Sequence, residues 1–418
     1  MLNQLSKPAE WRASAEGRAE GERFKRLLIL WHSPPAVTAG APIIVRSLFR
    51  DYDPDRLSVL CCAKEYREVV AGGHAKSLLP CEHVVFPNYR VFTPRPYRVS
   101  RPIVDAINCL RLFPILRAGR RLIRERGVEA IFTATSTAEI NLAAYFLSRE
   151  HGLPLHFFET DDWELCNARG VVRYLIRRYR EEIFRSAAGL WLTSPGMVRD
   201  FERRFGVSGE FLFHFVDTAR YEQPSRDIRP APAPAPISVV YTGAINNMFR
   251  DTLAAFCRLM NDGLTVGGRP VKLSIYSHGC PPQFLGPGVS FEGFAPTERY
   301  PEVLARADVL LIAVSFSEDP AIQQLVRTSL YTKTIDYLAS ARPVLVISPP
   351  YSAEIDYFAG VTHVLQSVER GAVEAALARL TGEPEYREEL TRRGLELVRK
   401  RHSPEALERV FLSRFREV

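Results

Sequence analysis

No stretch of this 418-residue chain stays apolar for the roughly 18 to 20 residues that a bilayer-spanning helix needs. Cysteine is sparse: seven residues, Cys61, Cys62, Cys81, Cys109, Cys166, Cys257 and Cys280. None forms a CxxC pair or stands at zinc-site spacing, and an odd number in a long chain argues against a disulfide framework. We therefore expect a reduced, cytoplasmic protein that holds no metal. The N-terminal stretch MLNQLSKPAEWRASAEGRAEGERFKR lacks the apolar core of a signal peptide. Residues 1–25 are expected to be a flexible polar tail. The chain has no P-loop GKS/T, no GxSxG elbow, no HExxH and no GxGxxG. It also lacks a zinc finger or RNP motif, so nucleic acid is not an expected partner despite the net charge of +7.

What is present is an ordinary globular composition in a chain too long for one hydrophobic core, which implies two domains. The break is EQPSRDIRPAPAPAPIS, Glu222 to Ser238. Alternating Pro-Ala is a stiff connector that neither helix nor sheet interior accepts. The expected organisation is a first domain over 26–222, a linker over 223–236, a second domain over 237–400, and a C-terminal helix over 401–418 that crosses back. Each half alternates short Val/Ile/Leu-rich runs with amphipathic segments. The runs are 26–31, 57–62, 129–134, 154–159 and 189–194, then 237–243, 271–277, 307–314 and 342–348. Such continuous runs suit parallel strands buried on both faces. Strand and helix in alternation predict an α/β fold of two Rossmann-like, doubly wound domains facing across a cleft.

Positive charge is uneven. Residues 90–126 carry ten arginines against Asp105 and Glu125, with apolar residues between them. This is either an amphipathic segment resting on an anionic membrane surface or a helix with its apolar side in the core.

The stretch most suggestive of chemistry is TSLYTKTIDYLASARPVLV, Thr328 to Val346. It reads as a helix followed by a buried strand, with Ser329 a candidate N-cap. Ile335, Leu338 and Ala339 share one face; Lys333, Asp336 and Ser340 share another. Backbone N–H groups at a helix start attract diphosphates, Lys333 adds a point charge, and Asp336 can accept from sugar hydroxyls. The plainer alternative is an i, i+3 surface ion pair between Lys333 and Asp336. Gly243 ends a strand where a phosphate would need close approach, and Gly40 in TAGAP has the same rationale in the first half. Asp161 and Asp162 in FETDDWE follow a strand; they bind or deprotonate an acceptor, or cap a helix. His32 follows the first strand, as a cleft residue or a structural histidine.

SLYTKTIDYLASARPVLV resembles the segment sPtKlfEYmAsGkPVl of GT-B glycosyltransferases, in particular the retaining enzymes of glycosyltransferase family 4. WHSPPAVTAGAPIIVRSLFRDYD resembles the glycine loop and helix after that family's first strand. FLFHFVDTARYE resembles vipNGVDterF, and VVYTGAINNMFRDTLAAF resembles the strand, turn and helix that open its nucleotide domain. The resemblance implies a transferase that moves a sugar from a nucleoside diphosphate donor to a glycan or lipid-linked acceptor, with retention and without a metal. It implies a role in cell-envelope polysaccharide synthesis at the inner face of the membrane. Asp336 takes the place of the ribose-binding glutamate. Arg250 and Lys333 are the candidates for the cations on the diphosphate, and Thr328 and Ser329 lie on the donor side. The family's other glutamate falls at Thr328, its glycine before PV at Ala341, and the Asn-Gly of NGVD at His214-Phe215. The acid missing at Thr328 motivates a second expectation, a non-catalytic scaffold that binds a partner transferase or glycan. A third is another GT-B enzyme, such as a nucleotide-sugar epimerase.

Overall fold

The computed structural model describes residues 23–36, 41–87, 110–160, 170–222, 235–296 and 298–417. The chain divides into two compact units. One comprises Met1–Thr193, Met197–Leu212 and Glu408–Val418, the other Ser194–Gly196 and Phe213–Leu407. Among the described residues no helix is long and apolar enough to cross a membrane.

The first unit is built on a parallel sheet of β1 (Leu27–Leu30), β2 (Leu57–Cys62), β3 (Glu82–Phe86), β4 (Ala130–Ala134), β5 (Leu155–Glu159), β6 (Gly189–Leu192) and β7 (Glu210–Phe211). Their order is β3-β2-β1-β4-β5-β6-β7. Leu27 of β1 pairs with Leu57 on one side and Ala130 on the other. The central strands are buried along their whole length, as the unbroken apolar runs require. The direction of winding reverses between β1 and β4, the arrangement of a doubly wound fold.

The arginine-rich segment contributes a helix, Leu112–Arg126, whose Ile115, Leu116, Leu122 and Ile123 are buried in the unit's core. Its apolar side is therefore covered by the protein. Several of its arginines are paired with carboxylates, Arg120 with Glu150 at 2.8 Å, Arg121 with Glu125 at 3.0 Å and Arg126 with Glu82 at 2.8 Å. Leu110 and Phe113 at its start are exposed, 58% and 67%.

The last residues of the chain complete this unit. Phe411 packs edge-on against Phe49, Phe132 and Trp191, with ring centroids 5.2, 5.8 and 4.8 Å away. Phe415 lies 4.6 Å from the ring of His156, and its carbonyl accepts the Lys25 N–H at 2.8 Å. Buried aromatic pairs of this kind add to the area they remove from water.

The second unit has its own sheet. It comprises β8 (Ile237–Thr242), β9 (Thr265–Val266), β10 (Arg269–Tyr276), β11 (Val289–Gly293), β12 (Val309–Ala313), β13 (Val344–Ile347) and β14 (His363–Leu365). The parallel order is β11-β10-β8-β12-β13-β14, and β9 pairs antiparallel with β10. Winding reverses between β8 and β12. The sequence alone placed Phe213–Glu222 in the first domain, but these residues cluster with the second unit, because His214 and Tyr221 are buried there against the helix Thr332–Ala339.

That helix ends at Ser340, and Ala341 follows with φ of 54°. The left-handed region costs a residue with a Cβ about 1 kcal/mol, and the resembled motif has glycine at this position. Ala341→Gly is therefore expected to raise the unfolding free energy by about 0.5–1 kcal/mol in a denaturant titration.

Candidate functional site

In open α/β sheets, ligands bind outside the carboxyl ends of the strands, where the winding reverses. In the second unit this point lies beyond Thr242 of β8. Gly243 follows with φ of 105°, its N–H donating to the Tyr276 carbonyl at 2.8 Å. A side chain would be strained there, so the turn requires glycine. The loop then turns on Asn246, whose side chain accepts the Met248 N–H at 2.9 Å, and delivers Phe249 and the helix Arg250–Asn261.

Lys333 enters the same place from the helix Thr332–Ala339. It is buried, and its Nζ lies 3.9 Å from the ring centroid of Tyr241 and 4.1 Å from that of Phe249. A Cβ on Gly243 would stand 3.8 Å from Nζ. Two ring faces thus hold the ammonium beside a residue without a side chain. Burial pushes the Lys333 pKa down to about 7, against a smaller upward pull from Glu354.

Lys333 and Ser340, on the polar face that the periodicity gives them, are both buried. The surface ion pair with Asp336 does not form, because Lys333 turns toward the rings and Asp336 turns elsewhere. Ser329 is not the N-cap either. Its N–H donates to the Leu325 carbonyl at 2.8 Å and closes the preceding helix, Pro320–Thr328, leaving Tyr331 at the cap position. Thr328 is the last residue of that helix, buried, its hydroxyl donating to the Gln324 carbonyl at 2.8 Å.

The start of the Lys333 helix is served by a residue that the sequence did not flag. Glu354 is fully buried. It accepts the Tyr331 N–H at 3.2 Å and the Thr334 hydroxyl, while Ser352 caps its own N–H. Burial pushes its pKa up to about 8, only partly offset by those hydrogen bonds and by Lys333. The Ser-x-Glu spacing in YSAEIDYF was the available signal.

One turn beyond Lys333, Asp336 is half-buried. Tyr221 donates its hydroxyl to Oδ1 at 2.6 Å, and His214 Nε2 stands 3.6 Å from Oδ2. Close by, Tyr337 accepts the Thr242 N–H at 2.8 Å, and the hydroxyls of Thr242 and Tyr300 are 2.8 Å apart. The end of β8 is thus hydrogen-bonded to the helix that carries Lys333 and Asp336. Arg250 is exposed on the first turn of its helix, next in sequence to the Phe249 ring under Lys333.

In the first unit, His32 lines a cavity of about 200 Å³ beyond the ends of β1, β2 and β3, with Cys62, Phe86, Arg111, Thr137 and Glu139. His32 Nε2 lies 3.5 Å from Glu65, and Arg111 lies 3.6 Å from Glu139. Gly40, Asp161 and Asp162 fall outside the described residues. Among the described residues, no cluster of three or more His, Cys, Asp or Glu is placed to hold a metal.

Residues 254–411 match the model of a glycosyl transferase-like family. Solved structures align along nearly the whole chain. Sucrose-phosphate synthase of Thermosynechococcus elongatus shares 14% identity, covering 92% of this chain and 96% of that one, with a TM-score of 0.63. Anabaena HepE in complex with UDP shares 12%, covering 93% and 99%, with a TM-score of 0.66. A glycosyltransferase of Rickettsia africae shares 9%, covering 94% and 98%, with a TM-score of 0.61. The fold is GT-B. No curated protein sequence matches this GT-B chain.

Glu354→Ala removes two hydrogen-bond acceptors from the GT-B chain's second core and should cost about 2–4 kcal/mol of stability. Glu354→Gln should cost far less, because the native carboxyl is protonated near neutrality. Between about pH 5 and pH 7 the folded chain keeps a proton on Glu354 that the unfolded chain releases, so this group's contribution falls as pH rises. Denaturant titrations across that range should show the slope flattened in Glu354→Gln.

Proposed function

We propose that this chain is a glycosyltransferase that moves a sugar, with retention, from a nucleoside diphosphate donor to a glycan or lipid-linked acceptor. The observation that carries the reading is the buried ammonium of Lys333 beside Gly243, where the winding of the second sheet reverses, with Asp336 one turn further along. Diphosphate fits beside Gly243 and Lys333, and ribose fits at Asp336. The family match and the fold support the same class, and Anabaena HepE has been solved in complex with UDP-glucose.

In this reading the bond from the anomeric carbon to the diphosphate oxygen breaks, and its electrons leave with the diphosphate. Lys333 and Arg250 stabilise that charge, so no metal is needed. The acceptor oxygen bonds to the same face of the sugar, and its proton passes to the departing diphosphate. Gly243, Thr328 and Ser329 border the donor. Gly40, His32, Asp161 and Asp162 serve the acceptor, with Asp162 binding the hydroxyl that attacks. The acceptor belongs to cell-envelope polysaccharide synthesis on the cytoplasmic side of the membrane. Exposed Phe113 and Leu110, with Arg117 and Arg124, supply the contact with an anionic bilayer. Vesicles containing anionic lipid should sediment the protein, and Phe113→Ser should weaken this; equal binding to zwitterionic vesicles would count against it.

Titration calorimetry with UDP-, GDP-, ADP- and dTDP-sugars tests the donor site. One nucleotide class should bind, in EDTA as well as without it, and Lys333→Ala should abolish binding. The donor diphosphate does not titrate near neutrality, whereas Lys333 does. Affinity should therefore fall above pH 7, by up to about tenfold per pH unit, with proton uptake on binding. A pH-independent affinity would remove Lys333 from the diphosphate site. Thr328, a buried helix end where the family carries an acid, favours one other reading, a scaffold that binds donor without turnover. Consumption of the bound donor in the presence of cell-envelope glycans separates the two.

A further inference from the structure

We propose that Tyr221 is the positioning residue for Asp336, and that the two act as one ribose-recognising unit. The inference rests on the donor reading of Asp336. Tyr221 is 2% exposed and His214 is 5% exposed, whereas the Asp336 side chain keeps 17% of its surface open. Of the three, only the carboxylate reaches outward. A 2.6 Å hydrogen bond from a phenol to a carboxylate is short and charge-assisted. It fixes the rotation of the carboxylate about its last bond, so that the 17% of the side chain's surface that stays open is presented in one orientation to a ligand.

Tyr221 is itself held. Its backbone N–H donates to the Thr218 carbonyl at 3.0 Å, in a turn begun by Asp217, whose side chain accepts the Ala219 N–H at 3.0 Å. Burial and the Asp336 charge keep the phenol protonated, and so a donor. On the far side of the carboxylate, His214 Nε2 faces Oδ2, while its Nδ1 has no hydrogen-bond partner. Asp336 is thus bracketed by two buried groups carried on one short segment.

The sequence adds an independent observation. Of the departures from the resembled motifs, two meet in space. The motif vipNGVDterF ends in Phe where this chain has Tyr221, and the motif sPtKlfEY has Glu where this chain has Asp336. A hydroxyl gained on one side faces a methylene lost on the other. A glutamate at 336 would push its carboxylate into the space that the phenol oxygen fills. The pair is therefore one coupled solution to placing a carboxylate.

The test is calorimetry on the full chain with UDP, GDP and ADP, then with the 2′- and 3′-deoxy forms of the one that binds. The wild-type chain should prefer the ribonucleotide over at least one deoxy form by about tenfold or more, the range of a hydrogen bond to a charged group. Tyr221→Phe should erase most of that preference without lowering the melting temperature enough to unfold the chain. Asp336→Glu should weaken binding, and Asp336→Glu combined with Tyr221→Phe should recover it, a non-additivity of about tenfold. Tyr221→Phe with an intact ribose preference, or strictly additive variants, would overturn the coupling. An Asp336→Ala variant that keeps the ribose preference would instead overturn the donor reading of Asp336, and this inference with it.

Discussion

A charged ammonium placed out of water must be compensated, and the second unit is arranged around that requirement. Lys333 leaves the solvent for two aromatic faces, one from the end of β8 and one from the loop that follows. Tyr241, Phe249 and Gly243 are then fixed together: two supply π-faces, and the third supplies a gap. The gap leaves the ammonium adjacent to backbone rather than sealed by a side chain. An anion entering there would meet a cation that is only weakly solvated, in surroundings that magnify their attraction.

Compensation extends to the residues behind the helix. Glu354 ties the first backbone N–H and a threonine hydroxyl of the Lys333 helix to the following element. Ahead of it, the segment bearing His214 and Tyr221 supports the next turn. His402 fixes that segment in turn, its Nδ1–H donating to the His214 carbonyl at 2.9 Å, while burial keeps the imidazole neutral. The candidate site is thus a short helix held from both ends by buried polar groups. Preorganisation of this kind lets a binding group act without first having to be ordered.

Much of the architecture was legible because central parallel strands leave an unambiguous trace. RLLILW, LSVLCC and ISVVYTG are mostly apolar, and each holds an interior strand. The strands that escaped notice are β3, β7, β9, β11 and β14, which lie at or near sheet edges. EHVVF and VSFEG carry polar residues because one side meets water, and HVL is too short to show a pattern. In the site, Gly243 and Lys333 were recognised by type and order, and they do meet. Their surroundings were not, because helical periodicity shows which residues share a face with Lys333 but not what packs on it. A buried lysine obeys no periodic rule; only Tyr241 and Phe249, 92 and 84 positions upstream, explain it. The role of Tyr221 was hidden for the same reason, since its partner stands 115 positions away.

The closing segment of the chain has a different implication. Because Phe411 and Phe415 sit among Phe49, Phe132 and Trp191, the first unit is not finished until residues 411–415 have been made. Nascent chains would carry an uncovered aromatic surface throughout synthesis of the second unit. Dissecting the protein at the Pro-Ala linker would leave that surface bare for good. A truncation just before Phe411 would damage the half of the molecule made first.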